Sequence, residues 1–424
     1  MVKRMRTFTF FLLLPFPLFG QADSVLTPEK GTQDLQSLVG EALLNNPDIR
    51  AELHQIDANA AKVPQEASLD DPVFTYFREE MPGFRLNEAM FSKYELMQMI
   101  RFPSKLSAQS KLADIEVDHA RQTHLEKINE VLEKLKSGYY ELWGVQQNIA
   151  LQHENARLLK QFIRIANAKY AVGEAAQQEV LKAQVELAKT ENALVDLRRQ
   201  EHGVKAMLMA VLNRSVQDTL GPATIPEDVV FRPSLETLQR IALENRPMIV
   251  HDSLDINQSR MMLSLAKQEY LPDLRLGVMY MDSPISGMNG WSVAAGISLP
   301  FAPWTLNKAS GRVEQASAMI RKSEARYTAT RNMVTSEVAE LYYRIEALKQ
   351  QLTNYRSSII PSARQSLDAS LAAYQTGRTD FLMLLDSYRT LVDLQMEYYM
   401  QRMQFEQTVA TLERAVGYQQ VAYL

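Results

Sequence analysis

The side chains best suited to catalysis are few and scattered in this sequence. Its 424 residues include six histidines and no cysteine. His119 and His124 are five positions apart, which puts them on different faces of a helix. The sequence contains no His-Glu-x-x-His, P-loop or Gly-x-Ser-x-Gly motif. We therefore predict that the protein is not an enzyme, and we assign it no metal ligand and no cofactor.

Four methionines suggest a different chemistry, which is binding rather than catalysis. Met97, Met99, Met279 and Met281 alternate with aromatic and aliphatic residues in two extended stretches, so they share the opposite face. If the aliphatic face meets lipid, these thioethers line the lumen of a barrel. Soft sulfur ligands suit Cu(I) or Ag(I). The alternative is that they fill gaps in packing, as methionine often does, in a chain with 20 methionines.

A Tyr-x-x-Gly motif occurs twice and shows how the chain is organised. Tyr170-Ala-Val-Gly173 returns 204 positions later as Tyr374-Gln-Thr-Gly377. Farther upstream the offset is 200, as two pairs of prolines show: Pro47 with Pro247 and Pro72 with Pro272. A drift of only four positions over that span indicates a tandem duplication, which dictates the architecture.

The composition and the N-terminus predict an exported protein. Lys and Arg total 46 against 50 Asp and Glu, so the formal charge of −4 gives no reason to expect nucleic acid binding. Positive residues precede an apolar run over 8–19, and small residues follow it. This pattern is typical of a signal peptide. We predict the following divisions: signal peptide 1–22, first repeat 23–220, Pro-rich connector 221–234, second repeat 235–417 and tail 418–424.

Each repeat contains a predicted β-hairpin, at about 72–102 and about 272–300. In the second, Leu274, Leu276 and Val278 alternate with other residues, and a similar alternation begins at Trp291. An apolar face opposite small or polar residues over about ten positions is typical of a transmembrane barrel strand. A half-buried strand of a soluble sheet is the alternative for one hairpin alone. Two equivalent hairpins in an exported chain favour the membrane.

Each hairpin leads into a very long predicted helix, from about Lys105 to Tyr170 and from about Leu306 to Tyr374. Apolar residues follow helical spacing in the first and strict heptad spacing in the second. At 1.5 Å per residue, each helix is roughly 100 Å long. The chain turns at tips over 170–177 and 374–380 and returns as another helix. The predicted fold class is mainly α with β, built from long coiled-coil helices and four strands.

Four strands cannot close a barrel, and an open edge in lipid leaves backbone groups unpaired at several kcal/mol each. The chain must therefore share its barrel with other copies. Three copies supply twelve strands, which is within the range of known barrels. The same symmetry places the helices in a hollow helical barrel below the membrane. We predict a homotrimer in contact with outer membrane lipid, with a tunnel across the periplasm.

The sequence resembles the TolC-type outer membrane efflux protein family over essentially the whole mature chain. The resemblance rests on the duplication, the Asn-x-Pro helix starts at Asn45 and Asn245, the hairpins, Phe102-Pro103, Leu299-Pro300-Phe301 and the two Tyr-x-x-Gly turns. It implies an exit duct in the outer membrane of a Gram-negative-type bacterium. A periplasmic adaptor (membrane fusion protein) and an inner-membrane pump of the RND or ABC type then dock at the tips. The methionines echo the heavy-metal branch of the family.

The resemblance also implies a gate near the second tip, held by a Tyr, an Arg and acidic residues. Tyr374 and Asp386 match that pattern, whereas the Arg is displaced by one position to Arg378. Met383 stands where the family often has an acidic residue, and Asp380 is a substitute candidate. A ring of symmetry-related carboxylates in a narrow pore sets cation preference. The alternative is a solvated charge cluster at the end of the helices.

By the same resemblance, the adaptor contacts the tips at the following residues: Val172, Gly173, Glu174, Thr376 and Gly377. A turn that needs glycine only for its geometry explains the glycines equally well. Two other functions stay open, namely a periplasmic coiled-coil scaffold without a pore and an outer membrane duct for protein (type I) secretion. The transported compound, a small molecule or a metal ion, is not determined by the sequence.

Overall fold

The computed structural model describes residues 34–79, 91–282, 287, 289–300 and 302–417. The predicted signal peptide over 1–22 and the predicted tail over 418–424 lie outside these residues. Within the described ranges, no helix is both long enough and apolar enough to cross a membrane.

The two halves of the chain contain the same elements in the same order. Each has a short helix, a second helix, two strands, a very long helix and a return helix. The first half comprises α1 (Leu35–Asn45), α2 (Pro47–Glu66), β1 (Val73–Glu79), β2 (Phe91–Ile100), α3 (Pro103–Ala171) and α4 (Gln177–Val211). The second comprises α5 (Leu235–Asn245), α6 (Pro247–Gln268), β3 (Leu274–Asp282), β4 (Asn289–Ile297), α7 (Pro303–Asn354), a π-helical turn (Tyr355–Ile359), α8 (Ile360–Gln375) and α9 (Phe381–Val416).

A proline begins α2, because its fixed φ suits the first position of a helix and it needs no backbone donor there. The side chain of Asn46 caps that helix by accepting hydrogen bonds from Asp48 N at 2.9 Å and Ile49 N at 3.2 Å. Its Nδ2 donates to Val211 O at 2.8 Å, which ties the α1–α2 corner to the end of α4. In the second half Arg246 takes this place and pairs with Glu337 of α7.

The four strands form one antiparallel sheet in the order β1-β2-β3-β4, so the hairpins of the two repeats lie side by side. The helices that adjoin these strands pack in the corresponding order, α2 on α3, α3 on α6 and α6 on α7. Sheet and helices meet at Asp273. Its carboxylate accepts hydrogen bonds from Lys105 Nζ at 2.8 Å and from Phe102 N at 2.9 Å. This carboxylate therefore joins the start of β3 to the start of α3.

The second long helix differs from the sequence prediction of an unbroken heptad helix. α3 runs for 69 residues, about 100 Å at 1.5 Å per residue. Between α7 and α8, however, five residues form a π-helical turn, with Ile360 N bonded to Tyr355 O. Pro361 follows directly. Proline in a helix lacks an N–H and clashes with the carbonyl four residues earlier, and a wider turn relieves that clash.

The buried side chains form three clusters along the length of the molecule. One contains α1 and the middle of α3, the second contains α5 and the middle of α7, and the third lies where α3, α4, α8 and α9 approach the tips. The connector after α4 lies across the middle of the helices. There Thr224 N donates to the hydroxyl of Tyr139 at 2.9 Å, and Arg402 donates to Pro226 O at 2.8 Å.

Candidate functional site

One face of the sheet carries a continuous row of aromatic rings. The register places Tyr76 opposite Tyr94, Tyr94 opposite Tyr280 and Tyr280 opposite Trp291. Consecutive ring centroids lie 5.0, 6.3 and 5.0 Å apart. Aromatic residues form girdles at the interfaces of outer membrane barrels, because one end of the ring is apolar and the other reaches water.

The same face continues as aliphatic rows toward the helices. Phe74, Leu96, Val278 and Val293 are cross-strand neighbours, and each side chain is at least 42% exposed. Ile100, Leu274 and Ile297 form the row nearest the helices. Large side chains exposed this widely in one contiguous patch indicate a surface that meets lipid or another protein.

The opposite face is more polar and holds all four predicted lumen methionines. Met97 lies between Val73 and Gly277, and Met279 lies between Glu95 and Ser292. The other two methionines are also on this face: Met99 opposite Arg275 and Met281 opposite Lys93. The strand register therefore places the methionines together on one face, but it pairs none of them directly with another. Whether this face lines a lumen stays a prediction.

The two outer strands are each paired on one side only. Within the described residues β1 pairs with β2, and β4 pairs with β3. Their other edges present backbone donors and acceptors that a neighbouring strand can bind.

At the other end of the molecule, both Tyr-x-x-Gly motifs form the same helix-ending turn. Gly173 and Gly377 adopt positive φ, +79° and +74°. Glu174 N bonds to Lys169 O at 2.8 Å and Gly173 N bonds to Tyr170 O at 3.0 Å. Arg378 N and Gly377 N repeat these two bonds in the second tip. This is the Schellman arrangement, which uses glycine because a Cβ disfavours the left-handed conformation.

The predicted tip-contact residues are open to solvent on this chain. Val172 is 70% exposed. A Cβ added at Gly173 or Gly377 meets no atom within 4 Å. Glu174 pairs with Lys169 at 3.3 Å, and the Thr376 hydroxyl donates to Ala372 O at 3.2 Å. The tips therefore present a free surface with room for a partner, although their contact with an adaptor stays a prediction.

Of the predicted gate residues, Tyr374 is the one whose side chain is buried and bonded to the other repeat. Its ring is buried, and its hydroxyl donates to Glu179 Oε2 at 2.7 Å. Burial raises the pKa of Tyr374 above its ordinary value, and the bond to Glu179 raises it further. Lys169 Nζ lies 5.6 Å from the ring centroid. Glu179, on α4, was missed by sequence reasoning because it is 195 positions away and no local pattern marks it.

The other gate candidates lie nearby but do not form a cluster with Tyr374. Asp380 caps α9 by accepting a hydrogen bond from Met383 N at 2.9 Å. Arg378 and Asp386 are both exposed. Among the described residues no ion pair joins Arg378 to Asp386. Both side chains are exposed, so they could contact a neighbouring copy. Their role as a gate stays a prediction.

A further charged link between the return helices lies close to the tips and was also missed. Arg389 of α9 pairs with Glu186 of α4, which also accepts a hydrogen bond from Lys189 at 3.0 Å. Burial opposes ionisation of Glu186, but the bonds from Arg389 and Lys189 outweigh it and hold its pKa below the usual range. This ion pair joins the two repeats beside the buried cluster near the tips.

This combination of a membrane-type sheet with long helical hairpins matches a known family. The model of the outer membrane efflux protein family matches residues 89–214 and 238–418, which is most of the chain. The chain belongs to the outer membrane efflux protein family. The two matched segments cover parts of each repeat.

Individual relatives agree with this membership. The cobalt-zinc-cadmium resistance protein CzcC of Cupriavidus metallidurans is 20% identical over 389 residues, covering 91% of this chain and 90% of the relative. The fold is similar to the outer membrane protein VceC of Vibrio cholerae (TM-score 0.74, 18% identity, 90% of this chain and 96% of that chain). It is also similar to the CmeC outer membrane channel of Campylobacter jejuni (TM-score 0.74, 15% identity, 96% and 94% covered).

As a family member, the chain is an outer membrane efflux channel with its helical part in the periplasm, and it is an exit duct of tripartite efflux systems. The predicted family, the mainly helical fold with a small antiparallel sheet, the exit-duct function and the outer membrane localisation are confirmed. The relatives are channel proteins rather than enzymes. The twelve-stranded trimeric barrel stays a prediction.

Proposed function

We propose that three copies of this chain close one twelve-stranded barrel in the outer membrane and continue below it as a helical tunnel. The observation that carries this proposal is the sheet. It has an aromatic and aliphatic face suited to lipid, and among the described residues nothing pairs with its two outer edges. In lipid each unpaired backbone group costs several kcal/mol, so β1 of one copy must pair with β4 of the next. Closed rotational symmetry makes all three seams equivalent.

We further propose that a periplasmic adaptor docks at the two tips and connects the tunnel to an inner-membrane pump. The support is the pair of exposed Schellman turns, which have the same backbone in both repeats and open space around their glycines. A trimer presents six such turns in a ring. An adaptor with six equivalent contacts can therefore bind both repeats in the same way. The transported class is small molecules or metal ions.

The native mass of the particle extracted in detergent from outer membranes tests the shared barrel. We expect three times the mass of the processed chain. A monomer, or recovery in the soluble periplasmic fraction only, contradicts the proposal and favours a scaffold without a pore. A variant with Val293→Arg, which places a charge on the aliphatic face, should lower the yield of trimer because an Arg that faces lipid near the middle of the bilayer costs about 2–4 kcal/mol.

The same trimers, reconstituted in planar bilayers, test the gate. Arg378→Ala combined with Asp386→Ala should raise the single-channel conductance of the resting channel, because both charges lie at the narrow end. Asp368→Ala with Arg364→Ala, also charges of the second repeat but farther from the tip, serves as the control. Unchanged conductance in the first pair means that these charges are merely solvated.

A further inference from the structure

Two histidines and an aspartate meet where the first repeat packs against the second. His119 lies on α3, and His251 and Asp255 lie one turn apart on α6. The imidazole rings are 4.3 Å apart between centroids. His119 Nε2 is 3.4 Å from Asp255 Oδ1, and His251 Nδ1 is 3.9 Å from Asp255 Oδ2. One ligand atom from each of the three residues lies within 4.8 Å of the other two.

His119 is not explained by packing within the protein. Both of its ring nitrogens are buried, and neither has a hydrogen-bond partner. A buried polar atom without a partner destabilises the fold, so such an atom requires an explanation, and a bound ion is one. Burial, followed by the charge of His251, lowers the pKa of His119.

The spacing of the donors fits a small divalent cation. Bonds of about 2.0–2.1 Å to nitrogen and oxygen in a tetrahedral site put neighbouring ligand atoms about 3.3 Å apart. The observed 3.4 Å between His119 Nε2 and Asp255 Oδ1 is close to this value. His251 Nδ1 lies 3.9 Å from the other carboxylate oxygen, Asp255 Oδ2, so a rotation of the carboxylate or of the His251 ring brings both histidines to one cation. Two imidazoles and one carboxylate form a borderline donor set that suits Zn²⁺, Co²⁺ or Ni²⁺ rather than Mg²⁺ or Ca²⁺.

The surroundings also favour a cation. Asp252 is buried, its Oδ2 has no partner, and its Oδ1 lies 3.9 Å from His251 Nδ1. The guanidinium that pairs with Asp252 belongs to Arg326. Its Nε lies 3.7 Å from Asp252 Oδ1, and its side chain is 62% exposed. A second carboxylate beside the three donors adds negative potential where a bound cation would sit.

We propose that His119, His251 and Asp255 form a binding site for one first-row divalent cation such as Zn²⁺, with water in the fourth position. Because α3 belongs to the first repeat and α6 to the second, a bound ion cross-links the two halves of the chain in the upper part of the helical domain. The site differs from the methionine face of the sheet, which offers soft sulfur instead of nitrogen and oxygen. It is independent of the oligomeric state and of the transported compound.

The test uses the processed full-length protein in detergent, purified through a tag without histidine and stripped with a chelator. Titration with Co²⁺, followed by visible absorption, should show one ion per chain with the strong bands of tetrahedral coordination. His119→Gln and Asp255→Asn should each weaken binding at least tenfold. His54→Gln is the matched control, because His54 also lies near an aspartate, Asp57 at 3.5 Å, but both side chains are about three-quarters exposed.

Two readouts keep the result interpretable if a variant assembles poorly. Zn²⁺ should raise the thermal midpoint of the wild type and of His54→Gln but not that of His119→Gln. In the wild type alone, Zn²⁺ should protect His251, whose side chain is 38% exposed, from modification by diethyl pyrocarbonate, as mapped by mass spectrometry. Wild-type protein that takes up no Co²⁺, variants that bind as tightly as the wild type, or His251 modified equally with and without Zn²⁺ overturns the proposal.

Discussion

Tyr374 and Tyr170 hold the same place in the two helix-ending turns, but their side chains have different surroundings. The Tyr374 ring is 4% exposed and packs against Phe381 at 5.5 Å between centroids. The Tyr170 ring is 48% exposed. The hydroxyl of Tyr374 reaches Glu179 across the tip, so α8 is tied to α4 of the other repeat. Among the described residues, the duplicated motif therefore links the two repeats at Tyr374 and not at Tyr170. We call the Tyr374–Glu179 contact the clamp.

Removing that hydroxyl tests the clamp. A hydrogen bond to a charged group contributes about 1.5–3 kcal/mol, and Glu179 is partly solvated, so we expect Tyr374→Phe to cost about 1–2 kcal/mol. The effect should appear in the opening free energy of the Gly377 and Arg378 amides, measured by hydrogen exchange. Tyr170→Phe should change exchange by less than about 0.5 kcal/mol. Equal effects at both tyrosines contradict the clamp.

The raised pKa of Tyr374 gives this contact a defined pH range. A group whose pKa is higher in the folded state contributes its full stability below the ordinary value near 10 and loses it as the pH rises through the folded value. The stability difference between wild type and Tyr374→Phe should thus stay constant from pH 6 to about 10 and shrink above it. Denaturant unfolding at pH 8 and pH 11 measures this difference.

At the scale of elements, substitutions in the tip turns test whether the turn serves only backbone geometry or also contacts a partner. Gly173 has φ of +79° and open space around it, so Asn, which tolerates that conformation, should fold there with little strain. Trp also has room within the chain, but the positive φ strains it more than it strains Asn, and it adds bulk on the surface. We expect Gly173→Asn to support efflux and Gly173→Trp to abolish most of it, with trimers intact in both. Survival of cells on an efflux substrate, with trimer amount measured in parallel, distinguishes the variants. Normal efflux with Trp contradicts docking at this turn.

Local elements were accessible to sequence reasoning because their determinants are local. The glycine of each Tyr-x-x-Gly motif predicts a helix end, since the positive φ that ends the helix depends on that residue itself. Alternating residues from Leu274 onward predict a strand for the same reason. The π-helical turn before Pro361 was not anticipated, because heptad spacing reports on side-chain faces and not on a clash between a ring and a backbone carbonyl.

Contacts between distant parts of the chain were not accessible. The partner of Tyr374 is 195 positions away, and His119 and His251 meet only because the two repeats pack side by side. Helical spacing correctly separates His119 from His124, but it says nothing about a second helix. The predicted gate was drawn from the second tip alone, which is why Glu179 and Glu186, both on α4 of the first repeat, were absent from it.

At the scale of the whole molecule, the two faces of the sheet meet different surroundings if the barrel closes as proposed. The aromatic face then meets lipid and the methionine face meets the lumen. Replacing Met97, Met99, Met279 and Met281 together with Leu keeps side-chain volume and removes the thioethers. If they assist passage of soft cations, we expect tolerance of Ag(I) and Cu(I) to fall about fourfold, with tolerance of organic compounds unchanged. Growth of a strain that depends on this duct measures both.

Leu96→Ile and Leu276→Ile, on the other face of the same two strands, serve as controls for assembly. They conserve volume as well and should leave all tolerances unchanged. Unaltered silver and copper tolerance in the quadruple variant, at equal trimer amounts, means that the methionines fill space and recognise nothing.

In the proposed tunnel, three copies of the duplicated chain supply six long helices of two kinds. Those from the first repeat are unbroken from Pro103 to Ala171, whereas those from the second are interrupted by the π-helical turn at Tyr355–Ile359. If three copies close the tunnel as proposed, unbroken and interrupted helices alternate around it, so a wall of six long helices has only threefold symmetry. We then expect its end to widen by movement of the three interrupted helices, which makes the aperture triangular before it becomes round.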